Sequence, residues 1–214
     1  MAGYWHLVQH ELEDRGHHSV AVDLPSDDPT SSLRDHVDAI VEAASERPRV
    51  VIVAQSLAGF AGSWAATRLP TSRIVLLNAM IPTPGETAGE WWENTGQPSA
   101  RRDSDRRLGR DPDGDFDEGF YFMHDVPSSS LPDSEERPES GGVFDHGWEP
   151  SAWPNIPTRV VVGRDDRFFP EQFQRRVARE RLGLEAIVIP GGHAAALSQP
   201  FEVCEAIVSG IMDA

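Results

Sequence analysis

Lysine is missing from this chain of 214 residues, so all 19 basic residues are arginine. Set against 35 acidic residues, they leave a formal net charge of −16 at pH 7. A surface of that sign repels phosphate backbones and anionic lipid headgroups, which argues against nucleic-acid and membrane partners. Cysteine is nearly absent as well. Cys204 stands alone, so no intrachain disulfide can form and nothing points to an oxidising compartment. On a C-terminal helical pattern with Phe201, Ile207 and Ile211, it reads as a buried small hydrophobe rather than a reactive thiol. Long apolar runs are lacking too. No stretch reaches the ~18–20 residues of a membrane helix. Met1 to Leu12 has no basic head followed by an apolar core, so no secretory signal is expected there and a cytoplasmic location is the default.

What is there suits one soluble α/β domain with an inserted segment. The hydrophobic share is 39%, and the length allows a sizeable core. Tyr4, Trp5, Val8 and Leu12 recur at helical spacing and Gly16 ends that helix. Ser19–Asp23 has the pattern of a short buried strand. Ser32 and Asp35 resemble a capping box, and Leu33, Val37, Ile40, Val41 and Ala44 form one apolar face behind it. Arg49–Ala54 is the most strand-like run of the chain and leads through Ser56 into a helix of small residues ending near Arg68. Arg73–Leu77, Thr158–Gly163 and Glu185–Ile189 are further strand candidates. A helix opened by Pro170 carries Phe173, Val177 and Leu182 on one face, and a last helix spans Phe201 to Met212. Apolar strands alternating with helices predict a mostly parallel sheet with helices on both faces. Residues 82–157 break the rhythm with Pro, Gly, Ser and Asp, and a structureless connection of that length is unusual in a compact domain. The expected organisation is therefore a core in two parts, residues 1–81 and 158–214, separated by a partly mobile lid over 82–157.

Three residues carry candidate chemistry. Ser56 stands between a buried strand and a helix, in Ala54-Gln-Ser-Leu-Ala58-Gly59. This is the context of a nucleophile elbow, Gly-x-Ser-x-Gly, with alanine at both glycine positions. The turn is sharp, so the positions two before and two after the serine have to be small. It lifts the hydroxyl above the sheet and aims the Leu57 N–H at a developing oxyanion, with the positive end of the next helix behind it. The bland alternative for Ser56 is a helix N-cap. Asp165 and Asp166 follow the strand ending at Gly163, at the kind of strand end where open α/β sheets gather their sites; either is alternatively a charge at a helix N-terminus. His193 follows the last strand in Pro190-Gly-Gly-His. The chain order Ser, Asp, His, each after its own strand, is far more specific than any one residue.

Val53–Phe60, Val160–Phe173 and Ile189–Leu197 resemble the α/β-hydrolases of the esterase and hydroxynitrile-lyase-like branch. The resemblance covers Gly3–Leu77 and Thr158 onward well, and 82–157 poorly. It implies Ser56 as nucleophile, His193 as general base and then acid, and Asp166 as the group orienting His193. Asp166 is preferred over Asp165 because the family pattern sets its acid four residues before a proline, here Pro170. It implies no cofactor and a small-molecule substrate, and leaves the oligomeric state open. The family also has a strand before the segment matching Gly3–Arg15, central in the sheet, whose loop gives a second oxyanion N–H. Met1-Ala2-Gly3 cannot supply it. A true start upstream of Met1 is the favoured explanation; the alternatives are that the two flanking strands close up on each other and give a weak enzyme, or that the chain is a degraded relative that folds poorly.

Trp91, Trp92, Phe120, Tyr121, Phe122 and Met123 have two readings: they line an apolar pocket over Ser56, or they pin the insertion to the body. Asp111–Glu118 fails as a calcium loop because its glycine falls at the fourth position. Histidine spacing offers no metal site. The leading expectation is a serine hydrolase for carboxylic esters of small apolar substrates. A lyase using the same triad and a non-catalytic ligand-binding protein are the rivals.

Overall fold

A computed structural model describes residues 2–132 and 141–210 of the chain. A turn of 3-10 helix (Ala2–Trp5) runs into α1 (His6–Asp14), and α2 covers Leu33–Ala44. The Ser32–Asp35 capping box expected from sequence is present, each side chain bonding the other residue's backbone N–H and so satisfying two otherwise orphaned donors. Strand β1 (Val50–Ser56) leads into α3 (Ala58–Ala65), followed by β2 (Thr71–Ala79). Then come α4 (Ala88–Thr95), α5 (Gln97–Arg107), α6 (Glu118–Tyr121), β3 (Thr158–Gly163), α7 (Glu171–Leu182), β4 (Ile187–Ile189), α8 (Ala195–Ser198) and α9 (Pro200–Val208). The four strands form one parallel sheet in the order β1-β2-β3-β4.

Alternation along β2 explains why both faces are covered. Ile74 and Leu76 point into a core built with α2, α3 and α7, through Leu33, Val37, Phe60, Phe173 and Val177. Val75 and Leu77 point the other way, toward Val8 of α1 and Val203 and Ile207 of α9. Strand β3 divides likewise, Val160 and Val162 against Val161. Each fully buried Val, Leu, Ile or Phe contributes about 1.5–3 kcal/mol. With every strand running the same way, the four C-terminal ends share one rim.

Ser19–Asp23 forms no strand. The resemblance puts another strand between this segment and β1. Among the described residues there is none, so the segment's backbone has no ladder to join and β1 is an edge of the sheet. Strand β4 is shorter than expected, starting at Ile187, and α9 ends at Val208. Ile211 and Met212, placed on that helix from sequence, lie outside the described residues.

Among the described residues, the connection from β2 to β3 holds three α-helices where the sequence showed little periodicity. Helix α4 is bounded by a Thr87–Glu90 capping box and by Gly96 in the left-handed region. Helix α5 is almost wholly polar. A buried charge cluster holds it: Asp105, fully buried, accepts from Arg101 (3.0 Å), Arg110 (2.7 Å) and the Tyr121 hydroxyl (3.1 Å). Arg181 of α7 pairs with Glu86 and also donates to the Ile81 carbonyl, fastening the start of the connection to the body. Helix α5 is held by polar pairing and so carries no apolar stripe, and α4 buries too short a stripe, Ala88 and Trp91, to stand out in the sequence. No helix among the described residues is long and apolar enough to cross a membrane.

Candidate active site

Ser56 ends β1 and its backbone is held at φ +52°, a left-handed value uncommon for a residue with a Cβ. Such strain persists only where the surroundings impose it. Here Met80 N donates to the Ser56 carbonyl at 2.9 Å, and the β1–β2 register slips between Gln55 and Ser56. Close packing beneath the turn sets the size limit. A Cβ at Gly59 would overlap the Met80 carbonyl oxygen, so helix α3 approaches β2 through that glycine. Leu57 caps α3, whose first amide hydrogens have no partner inside the helix.

The imidazole of His193 lies between the other two candidates. Ser56 Oγ donates to His193 Nε2 at 3.1 Å, and His193 Nδ1 donates to Asp166 Oδ2 at 2.9 Å. The direction follows from chemistry, because an ionised carboxylate only accepts and so fixes the proton on Nδ1. Asp166 is 4% exposed and His193 also 4%. The other Asp166 oxygen accepts the N–H groups of Phe168 and Phe169, both at 2.8 Å. Asp165 faces elsewhere, accepting from Gly191 N at 3.4 Å. Asp166, preferred over Asp165 from the family pattern, is the aspartate that lies against the imidazole.

Three amide side chains that sequence reasoning did not single out hold this arrangement. Asn78 is the penultimate residue of β2, fully buried and at φ +44°. Its Nδ2 donates to the carbonyls of Gly192 (2.9 Å) and His193 (3.0 Å), and its Oδ1 accepts Gly163 N (2.7 Å). One side chain thus ties together the ends of β2 and β3 and the histidine loop. Gln174 of α7 donates to Asp166 Oδ2 at 3.3 Å and to the Phe169 carbonyl at 2.6 Å. Gln55 donates to the His193 carbonyl at 3.2 Å. An isolated Asn or Gln carries no sequence signal; only the fold brings these amides to the rim.

Aromatic rings cover the imidazole. Phe122, Phe168 and Phe169 have ring centroids 5.0, 5.2 and 5.0 Å from that of His193. Of the six aromatic-cluster residues named from sequence, Phe122 reaches the histidine. Trp92 packs on Phe168 and Phe169. Trp91 is buried against Phe169 and Phe173, with its indole N–H on the Ile81 carbonyl. Tyr121 belongs to the Asp105 cluster, and Phe120 lies under the Arg167 guanidinium. Met123 continues the turn after α6, its N–H on the Gly119 carbonyl. Phe168 and Phe169 were missed from sequence, although they sit two and three residues after Asp166. Tyr4 places its hydroxyl in the buried region behind the site; burial, helped by the charges of Asp166 and Asp125, pushes the phenol pKa up. A separate cleft, bounded by Trp153, Ile156, Leu182 and Leu184, lies beside Thr158. Thr158 begins β3, so this cleft is at the far end of the sheet from Ser56. No group of His, Cys, Asp and Glu among the described residues could hold a metal ion.

A parallel sheet with a serine in a strained strand-to-helix turn, faced by histidine and aspartate from later strand ends, defines an α/β-hydrolase. The chain belongs to the alpha/beta hydrolase family, whose model matches residues 2–206. Several solved structures share the fold. A pyrethroid hydrolase from Sphingobium faniae has a TM-score of 0.76 at 22% identity, covering 96% of this chain and 90% of its own. Polyneuridine aldehyde esterase has a TM-score of 0.73 at 18% identity, over 96% and 92% of the two chains. A methylesterase from Arabidopsis has a TM-score of 0.70 at 17% identity, over 100% and 94%. A search of curated proteins found no match.

Proposed function

We propose that this protein is a serine hydrolase that cleaves carboxylic esters of small apolar substrates through an acyl-enzyme. The observation that carries the reading is the chain of contacts from Ser56 Oγ to His193 to Asp166, at 3.1 and 2.9 Å. A serine hydroxyl is a weak nucleophile at neutral pH and needs a base within hydrogen-bond reach. His193 takes the Ser56 proton as Oγ attacks the ester carbonyl. Asp166 holds the imidazole in the right tautomer and balances its positive charge as that charge forms. The Leu57 N–H and the positive end of α3 stabilise the oxyanion. His193 then protonates the leaving alkoxide, and the acyl group stays on Ser56 until His193 activates a water to release it. No cofactor enters this scheme.

The hydrolase and esterase names of the similar structures support ester chemistry. Phe122 and Phe168, packed on His193, support an apolar substrate, since an incoming ester would be bounded by rings on that side. In this reading the β2–β3 connection, residues 82–157, acts as a lid whose Phe122 faces the reacting groups.

The experiment is p-nitrophenyl acetate hydrolysis by the purified protein, with intact-mass detection of a fluorophosphonate adduct. Ser56→Ala should reduce kcat by on the order of 10⁶-fold, to background, and abolish the adduct. Equal hydrolysis by wild type and Ser56→Ala overturns the reading in favour of a binding protein. A lyase with the same triad is the outcome if turnover needs Ser56 but no acyl adduct ever accumulates with an activated ester.

A further inference from the structure

His193 sits on a loop whose place is fixed from two sides. From the sheet side, Asn78 and Gln55 hold the carbonyls of Gly192 and His193. From the other side, the Gly192 N–H donates to Asp125 Oδ2 at 2.7 Å. Asp125 belongs to the β2–β3 connection, far away in sequence, and it is the carboxylate that meets this loop from that connection. Its neighbour His124 carries Nε2 3.1 Å from the Asp165 carbonyl, so the same dipeptide also bridges to the loop that bears Asp166. Phe122, two residues before His124, packs on the His193 ring. One short run of the connection thus touches the ring of the candidate general base, the backbone next to it and the loop of its orienting acid.

The approach is close enough that a side chain at Gly192 would push the ends of the Asp125 and His124 side chains away. A Cβ at Gly192 would lie 2.7 Å from Asp125 Oδ1 and 2.8 Å from His124 Nε2, well inside van der Waals contact. The glycine therefore lets the connection pack directly on the loop backbone. The arrangement also has an energetic cost: Asp125 Oδ1 is buried and has no hydrogen-bond partner among the described residues. An unsatisfied buried acceptor of this kind opposes folding, and a carboxylate placed purely for stability would be better left in water. The oxygen that is used is committed to the residue immediately before His193.

We propose that Asp125 is a positioning residue for catalysis: its carboxylate locks the Gly191–His193 loop, so the general base is in register with Ser56 only while residues 118–126 are docked. The proposal rests on the serine-hydrolase reading of the site. It makes docking of the connection and assembly of the reacting groups a single event. Small displacements of a reacting group have large effects on rate. Gly191 is tied to Asp165 through its carbonyl (3.0 Å) and its N–H (3.4 Å), so the Gly192 N–H, next to His193, is the point where loss of Asp125 would let the loop shift.

The test compares wild type, Asp125→Ala, Asp125→Asn, Gly192→Ala and Ser56→Ala, all as the full chain. The readouts are p-nitrophenyl acetate kinetics, the rate of fluorophosphonate labelling of Ser56 and thermal melting. Asp125→Ala should lower kcat roughly ten- to hundredfold with little change in KM, and slow labelling by a similar factor. Asp125→Asn keeps an oxygen to accept the Gly192 N–H and should recover most of the lost kcat. Gly192→Ala pushes the same contact apart, so it should lower kcat in the same way, and combining it with Asp125→Ala should add little. Wild-type kcat in Asp125→Ala, or a loss confined to KM, overturns the proposal. So does failure of Asp125→Asn to recover activity when it melts like wild type. Should Asp125→Ala not fold, Gly192→Ala and Asp125→Asn decide by the same criteria. Full activity in Ser56→Ala would instead sink the reading of the site itself, which keeps the two failures apart.

Discussion

Replacing Asn78 by alanine removes a side chain that joins β2, β3 and the histidine loop. The Gly163 N–H, now bonded at 2.7 Å, would be left buried and unsatisfied, a cost of about 1–3 kcal/mol. The Gly192 and His193 carbonyls each lose a donor, for about 0.5–1.5 kcal/mol apiece. Asparagine tolerates the left-handed backbone at φ +44°, whereas alanine there adds about 1 kcal/mol of strain. The expected loss is about 3–7 kcal/mol, which in a chain of this size lowers Tm by about 6 °C or more. Differential scanning calorimetry measures it directly. Asn78→Gly relieves the backbone strain but restores no hydrogen bond, so it should melt no lower than the alanine variant and still far below wild type. Asn78→Asp keeps an acceptor for Gly163 while turning a carboxylate toward two carbonyl oxygens, so the histidine loop should be displaced and kcat should fall. An Asn78→Ala protein within about 1 kcal/mol of wild type in urea unfolding would refute this account, because no repacking on the far side of the sheet can supply a partner for the Gly163 N–H.

Gly59→Ala should destabilise by about 1–3 kcal/mol or more, since the new methyl meets the Met80 carbonyl oxygen and α3 has to move off β2; thermal melting checks it. The Cys204 thiol should resist Ellman's reagent in native protein and react only on unfolding, because it is fully buried and burial raises its pKa. Burial likewise lowers the pKa of His36 below its ordinary 6.5. The unfolded chain then binds a proton there more readily than the folded one. The stabilisation is therefore whole above pH 6.5 and drains away as the pH falls through that value. Urea midpoints at neutral and mildly acidic pH should diverge in wild type, and diverge less in His36→Gln; equal divergence would refute the assignment.

Much was legible in the sequence because it is written in local chemistry. Hydrophobic period located β1, β2 and β3, since a buried parallel strand needs an unbroken apolar run on both faces. The Ser32–Asp35 cap announced α2 because its two hydrogen bonds close within four residues. Ser56, Asp166 and His193 stood out by their places at strand ends, with Ala54 and Ala58 keeping the serine turn small. What the sequence could not yield is whatever depends on partners distant along the chain. Ser19–Asp23 has strand composition but makes no strand, because composition does not provide a neighbour to bond. Helix α4 buries Trp91 against Phe169 and Phe173, and α5 is held by the Asp105 cluster; both sets of contacts form only once the chain has folded back. Asn78, Gln174 and Asp125 are unremarkable polar residues until the sheet sets its C-terminal ends side by side. Only the tertiary structure decided which aromatic rings cover the imidazole and which amides hold it, since hydrogen bonds are short and directional and local sequence carries no measure of distance across the fold.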